Sequence, residues 1–306
     1  MFCPSLAGEF GLSQQFGNFM VELNQQYRES DSTLDQPDSG EALTLEQAIA
    51  NLTHSDLSLR YYAAWWLGKF GSSTSGEVKA AMVETLIAAL NDEADQTELG
   101  GYPLRRNAAR ALGKLADQRA VSPLIRCLDC SDFYVREAAA QSLGMLGDSA
   151  SVPALMKLLV GGVAAAQRVP GRPHFTQPVE AAMEALGTLQ AKEAVLLIQP
   201  FLEHPVERLQ HAAARAMYLL TQKATYGEQL IQALADSDLQ KRRLVLLDLG
   251  ASGYLPAAEA IAQAAVENSF KLIALKGLLE RTLQQSSAIP VSADARRVMT
   301  LMDSLL

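Results

Sequence analysis

The sequence predicts an all-α superhelix, an α-solenoid of stacked helix-turn-helix units. Three observations predict it: a leucine-glycine frame recurs along the chain, each frame is followed by a second amphipathic stretch, and no stretch shows the sustained alternation of β-branched residues that a sheet requires. With the leucine before the glycine as marker, the frame recurs at Leu67, Leu112, Leu143 and Leu186, with Met217 as a fifth variant, at separations of 45, 31, 43 and 31 residues. Two-helix units of this length cannot bury an apolar face alone, so they stack on one another.

Composition narrows the class further. The 306 residues are 49% hydrophobic, enough for a large core, and carry a formal net charge of -8. A pI near 5.1 argues against a nucleic-acid binder, which needs a basic face to neutralise phosphates. No run approaches the roughly 20 apolar residues of a membrane span, and the N-terminus lacks a positive region followed by an apolar stretch, so a cytoplasmic protein is expected. Three cysteines make no disulfide framework. Cys127 and Cys130 form a Cys-x-x-Cys pair without the second ligand pair a structural zinc needs, so no metal site is expected.

In chain order, residues 1–43 show no repeat and include the polar run from Glu29 to Gly40, which reads as an N-terminal arm, flexible or loosely docked. The solenoid occupies 44–306, beginning with a helix over Leu45 to Leu52. Asp56 precedes Arg60 by four residues, as Asp132 precedes Arg136, so each aspartate caps a helix while its arginine reaches a neighbouring unit. Alanine-aspartate and glycine-aspartate steps break the first helices, and Pro123 and Pro153 suit the first turns of the second ones. The pattern resembles the short HEAT-like repeat. The two longer separations are a unit plus an inserted loop, at 91–103 with Asp95, Glu98 and Tyr102, and at 161–178 with Arg168, Arg172, His174 and Phe175. Both fall between the second helix of one unit and the first of the next, so both are expected on one edge, walling one site. Beyond Met217 the frame continues imperfectly to Glu280, and Val298, Leu301, Met302 and Leu305 stripe a C-terminal capping helix.

One segment stands out. Arg60 to Phe70 holds both tryptophans and two of the eight tyrosines of the chain. Where Tyr61 stands, the other units place Arg106, Glu137, Glu180 and His211; where Trp65 stands, they place Arg110, Gln141, Glu184 and Arg215. These columns read as solvent-facing, and Tyr61 and Trp65, spaced i,i+4, are expected to stand together on the surface for a protein partner or a flat conjugated ligand. Tyr62 and Trp66 read as packing residues. No P-loop, dinucleotide-binding turn, nucleophile elbow or His-Glu-x-x-His occurs, and the four histidines are scattered, so the residues by themselves describe a binding scaffold.

The strings Asp56 to Gly68, Glu98 to Arg110 and Asp132 to Ala139, with the Glu-Leu-Gly-Gly-Tyr-Pro insertion, resemble the E-type subunit of the cyanobacterial E/F phycobilin lyases that serve the phycocyanin alpha subunit. The likeness spans Thr44 to Glu280. It implies a heterodimer with an F-type lyase subunit, attaching phycocyanobilin through a thioether to a cysteine of the phycocyanin alpha subunit, with the bilin as substrate and no tightly bound cofactor. In that scheme Glu98 and Asp95 are candidate pyrrole partners or proton donors and His174 a proton relay. Tyr61, Trp65, Tyr102 and Phe175 would meet the conjugated plane, while Arg105, Arg106, Arg168 and Arg172 would anchor the propionates. Two alternatives remain open: a non-catalytic scaffold or chaperone for phycobiliproteins, and a subunit of an isomerising phycoerythrocyanin-type lyase.

Overall fold

The computed structural model describes residues 43–98, 100–236, 238–285 and 292–306. The expected arm at 1–43 lies outside them but for its last residue. Among the described residues the chain is a two-layer stack of helices with no named strand. The first helices of the units are α2 (Leu57–Phe70), α4 (Pro103–Leu115), α6 (Phe133–Leu146), α9 (Val179–Thr188), α11 (Glu207–Thr221), α13 (Leu239–Ser252) and α15 (Asn268–Gln285), each packed on the next. The second layer holds α3 (Gly76–Ala89), α5 (Val121–Cys127), α7 (Val152–Lys157), α10 (Val195–Ile198), α12 (Ala224–Ala233), α14 (Ala258–Gln263) and α16 (Ala293–Asp303). A half-unit, α1 (Leu45–Asn51), precedes them, and a single turn, α8 (Gly162–Ala165), opens the second inserted loop.

Local chemistry sets these boundaries. Thr44 and Gln47 close a capping box on α1, the Gln47 N–H donating to Thr44 Oγ1 at 3.2 Å. Asp56, Asp132 and Asp238 cap α2, α6 and α13, each carboxylate accepting a backbone N–H two residues on at 2.8 Å. Gly147, at φ 74°, ends α6 in the left-handed region, after which Asp148 starts the next turn.

The frame residues explain the stacking. All five marker side chains are buried. A Cβ on Gly68 would lie 2.9 Å from Ala111 Cα; on Gly144, 3.0 Å from Ala185 Cα; on Gly187, 3.0 Å from Ala216 Cα. Neighbouring first helices therefore meet backbone to backbone, which only glycine permits.

A ladder of side chains joins the layers. Arg60 Nε donates to Leu52 O at 3.0 Å, Arg136 Nη1 to Cys130 O at 2.7 Å, Gln210 Nε2 to His204 O at 2.7 Å and Arg242 Nη1 to Asp236 O at 2.7 Å. Each satisfies an orphan carbonyl where the preceding second helix or turn ends. Three also reach forward: Arg60 to Asp92, Arg136 Nη2 to Thr176 O at 2.8 Å, and Arg242 Nε to Ala265 O at 3.2 Å. The aspartate-arginine spacing thus has the inter-unit role expected of it. At the far end Val298 of α16 is buried, and Asn268 Nδ2 donates to Leu305 O at 2.8 Å. No helix among the described residues is long and apolar enough to cross a membrane.

Candidate functional site

Both inserted loops converge on the start of α6. From the first loop, the Tyr102 N–H donates to Asp132 Oδ2 at 2.7 Å, so the carboxylate that caps α6 also holds the loop. From the second loop, His174 stacks on Phe133 with centroids 4.4 Å apart and planes at 11°, and meets Tyr134 edge-on at 5.5 Å. The bond from Arg136 to Thr176 O closes the junction. The loops therefore share an edge, and Phe133 and Tyr134 are the floor between them. Neither ring is among the residues the sequence points to, and the aromatic pair at a helix start is the signal that marks them.

The first loop is largely committed to its own structure. Asp95 is buried and its Oδ2 accepts the Leu104 N–H, capping α4 from outside because Pro103 occupies the first helical position. Burial pushes its carboxyl above the usual range, against the Leu104 bond that favours the anion. Arg105 Nε donates to Asp92 O at 2.5 Å and its guanidinium lies 4.1 Å from the Tyr102 ring centroid, so this arginine is a further rung of the ladder. Glu98 is exposed at the tip. Arg106, half-buried, has its Nε enclosed with no acceptor among the described residues.

In the second loop, Arg168 and Phe175 pair across an isolated antiparallel bridge, the guanidinium 5.6 Å from the ring. Phe175 meets His204 edge-on at 6.0 Å, while His174 Nδ1 lies 2.8 Å from Phe175 O. Arg172 is exposed. Arg168, Arg172, His174 and Phe175 thus sit together, with Glu98 and Tyr102 on the opposite loop of the same edge.

Tyr61, Trp65 and Arg106 belong to a different surface, the outer face of the first-helix layer. There Trp65 packs on Tyr62, centroids 5.4 Å apart. Trp66 packs on Phe70 at 4.9 Å, and Lys69 Nζ lies 5.1 Å from the Trp65 ring. The columns themselves are half-buried or buried rather than solvent-facing. In α9 and α11 they hold Glu180, Glu184 and Arg215, which join Arg208 and Asp248 from flanking positions in an ion cluster: Arg208 bonds Glu180 and Asp248, and Arg215 Nη1 lies 3.3 Å from Glu184 Oε1 and 3.4 Å from Asp248 Oδ1. Burial pushes the Glu184 carboxyl up despite Arg215 and Arg208. Burial also opposes the Arg208 charge, but Asp248, Glu180 and Glu184 outweigh it and hold the guanidinium protonated. His211 is shifted down, mainly by burial.

Cys127 is buried, and burial with Cys130 alongside pushes its thiol up to about 11, so it is no thiolate nucleophile. No cluster of three or more metal-ligating side chains occurs among the described residues.

The repeat family described as PBS lyase HEAT-like repeat matches residues 59–92 and 179–204, and the family described as HEAT repeats matches 101–166. With the two-layer stack, these define a HEAT-like solenoid of the bilin-lyase class. Among curated proteins, the phycocyanobilin lyase subunit alpha of Nostoc sp. (strain PCC 7120) is 66% identical over 270 residues, 88% of this chain and 96% of that protein. That of Thermosynechococcus vestitus is 62% identical, covering 86% and 94%. The bilin biosynthesis protein PecE of the same Nostoc is 44% identical, covering 80% and 90%. Among solved structures, a chain in the complex of CpcE and CpcF of phycocyanin lyase from Nostoc is 64% identical, with a TM-score of 0.80 over 90% of this chain and 100% of that one. This chain belongs to the family of phycocyanobilin lyase alpha subunits.

Proposed function

We propose that this chain is the E-type subunit of a heterodimeric bilin lyase, which with an F-type partner attaches phycocyanobilin to a cysteine of the phycocyanin alpha subunit. The observation that carries this reading is the near-complete overlap with the phycocyanobilin lyase alpha subunits, together with the fold shared with the CpcE–CpcF complex. The reaction is an addition: the sulfur of the acceptor cysteine bonds to the ethylidene carbon of the bilin, and the thiol proton ends on the tetrapyrrole. The nucleophile belongs to the acceptor protein, so this chain requires no triad. Its work is to hold a flexible substrate in a reactive geometry. Phycocyanobilin is read as a substrate rather than a resident cofactor, and the compartment as the cytoplasm.

Within that scheme the loop edge supplies the exposed polar groups. Glu98 is the candidate proton donor and His174 the relay, with Arg168 and Arg172 facing the propionates and Phe175 and Tyr102 the ring plane. Asp95 and Arg105 act through the loop they hold, as positioning residues. Tyr61, Trp65 and Arg106 are assigned to the helix face, for the bilin or the F-type partner. The test is coexpression with an F-type subunit, a phycocyanobilin source and apo-phycocyanin alpha, followed by denaturing electrophoresis with zinc fluorescence. Covalent colour that needs both subunits is expected. A confirmed heterodimer that yields none would favour a scaffold.

A further inference from the structure

Three aspartates cap first helices, and one of them does more than cap. Asp56, Asp132 and Asp238 each turn Oδ1 to a backbone N–H of their own helix start. The second carboxylate oxygen of Asp56 and of Asp238 holds no backbone N–H among the described residues, whereas Asp132 Oδ2 accepts the Tyr102 N–H at 2.7 Å, from 30 residues earlier in the chain. Asp132 is buried, where a carboxylate needs both oxygens bonded. What hangs on Tyr102 is a closed turn. The Thr97 N–H donates to Gly101 O at 2.9 Å and the Gly101 N–H returns to Thr97 Oγ1 at 2.9 Å, with Glu98 at the tip between them. A Cβ on Gly101 would crowd Thr97 Oγ1 at 3.2 Å and lie 3.6 Å from Asp132 Oδ2.

The turn of α6 that follows Asp132 holds the other loop. Phe133 carries the His174 ring, stacked 4.4 Å away, and Arg136 Nη2 bonds Thr176 O at 2.8 Å. That loop is closed on itself as well, by the Val169 N–H on His174 O at 3.0 Å and the Thr176 N–H on Gln167 O at 2.9 Å. Two internally bonded pieces therefore meet on residues 132–136. We propose that Asp132 is a positioning residue for bilin attachment: its two carboxylate oxygens tie the first loop to the helix start that carries the second, which sets the separation of Glu98 and His174. Both oxygens are engaged, so the residue acts through the loops rather than on the bilin. The role needs a carboxylate, which accepts two N–H donors at once; serine accepts with one oxygen, and asparagine presents a donor on its other arm. The consequence is kinetic, because a displacement of about 1 Å between groups that act on one substrate is enough to cost about 100-fold in rate.

This assignment rests on the lyase reading, and its test separates the two. Asp132→Ser keeps the helix cap and loses the second acceptor; Asp132→Asn keeps the cap and the shape but turns an amide toward the Tyr102 N–H. Asp238→Ser makes the same exchange at a cap whose second oxygen holds no loop. Each variant is purified as the heterodimer with an F-type subunit, and attachment to apo-phycocyanin alpha is followed over a series of phycocyanobilin concentrations. Both Asp132 variants should lower kcat by about 10- to 100-fold while KM for the bilin stays within about threefold, and Asp238→Ser should match the wild type. A kcat within about twofold of wild type in Asp132→Asn, or a loss confined to KM, overturns the proposal. Hydrogen exchange on the same heterodimers does not depend on activity. The Tyr102 amide should exchange about tenfold faster in both Asp132 variants than in Asp238→Ser, and equal exchange also overturns the proposal. A wild-type heterodimer that gives no colour, with this exchange pattern intact, counts against the lyase reading alone.

Discussion

The outer face of the first-helix layer has two halves with the same register and opposite chemistry. In α2 the face carries Tyr61 and Trp65, with Trp65 packed on Tyr62 under Lys69. In α9 to α13 it carries Glu180, Glu184, Arg208 and Arg215, closed over Asp248, whose side chain is 2% exposed. The repeat fixes where a side chain stands and leaves its chemistry free. One half uses the face to cross-link three helices, and the other fills it with half-buried aromatic rings.

The sharpest way to break this comparison is Asp248→Ala, which leaves Arg208 and Arg215 without their shared buried partner. We expect a loss of about 3–5 kcal/mol in urea unfolding. A loss below about 1 kcal/mol would mean the cluster is no more structural than an exposed pair. Trp65→Ala should cost less, about 1–2 kcal/mol, because the ring is only half-buried. Its larger effect should be on bilin binding or subunit assembly, and a variant normal in both returns the residue to packing.

Acidity separates the halves further. The folded chain holds the proton of Glu184 more tightly than the unfolded chain, so stability falls as pH rises from the ordinary carboxyl value of 4.5 through the raised one. Glu184→Gln should make that decline shallower in thermal melts. His211 runs the other way: its folded form releases the proton more readily, so stability is lost as pH falls below 6.5, and His211→Gln should be spared that loss. A pH profile unchanged by either substitution would show that the cluster does not titrate with folding. The smallest expected effect on stability is that of Glu98→Gln, within about 0.5 kcal/mol at an exposed loop tip. Attachment should nevertheless slow, and unchanged kinetics would remove Glu98 from the site.

Local signals were readable from the sequence, and tertiary partnerships were not. The aspartate-arginine spacing gave away the ladder at Arg60 and Arg136 because the cap and the rung lie on one helix turn. Arg105 lacked that signature, since Gly101 stands four residues before it, and its acceptors are backbone carbonyls that no residue type marks. Asp95 looked catalytic because acids in a loop usually face water; here Pro103 at the helix start left the cap to a residue from outside. The ion cluster had one sequence cue, Asp248 in the column of Trp66, where the four units between them place the small Ala111, Ser142, Ala185 and Ala216. The loop edge was legible from insert positions, but its floor of Phe133 and Tyr134 depended on which ring His174 would reach.

The backbone contacts at Gly68, Gly144 and Gly187 have a mechanical consequence. Where helices touch through side chains, rotamer changes let the spacing drift; where they touch through Cα atoms, the pitch from one unit to the next is set by covalent geometry. The solenoid is therefore a ruler with fixed graduations. A ligand that folds and unfolds freely in solution meets on it a set of distances that do not yield, and takes its shape from the protein.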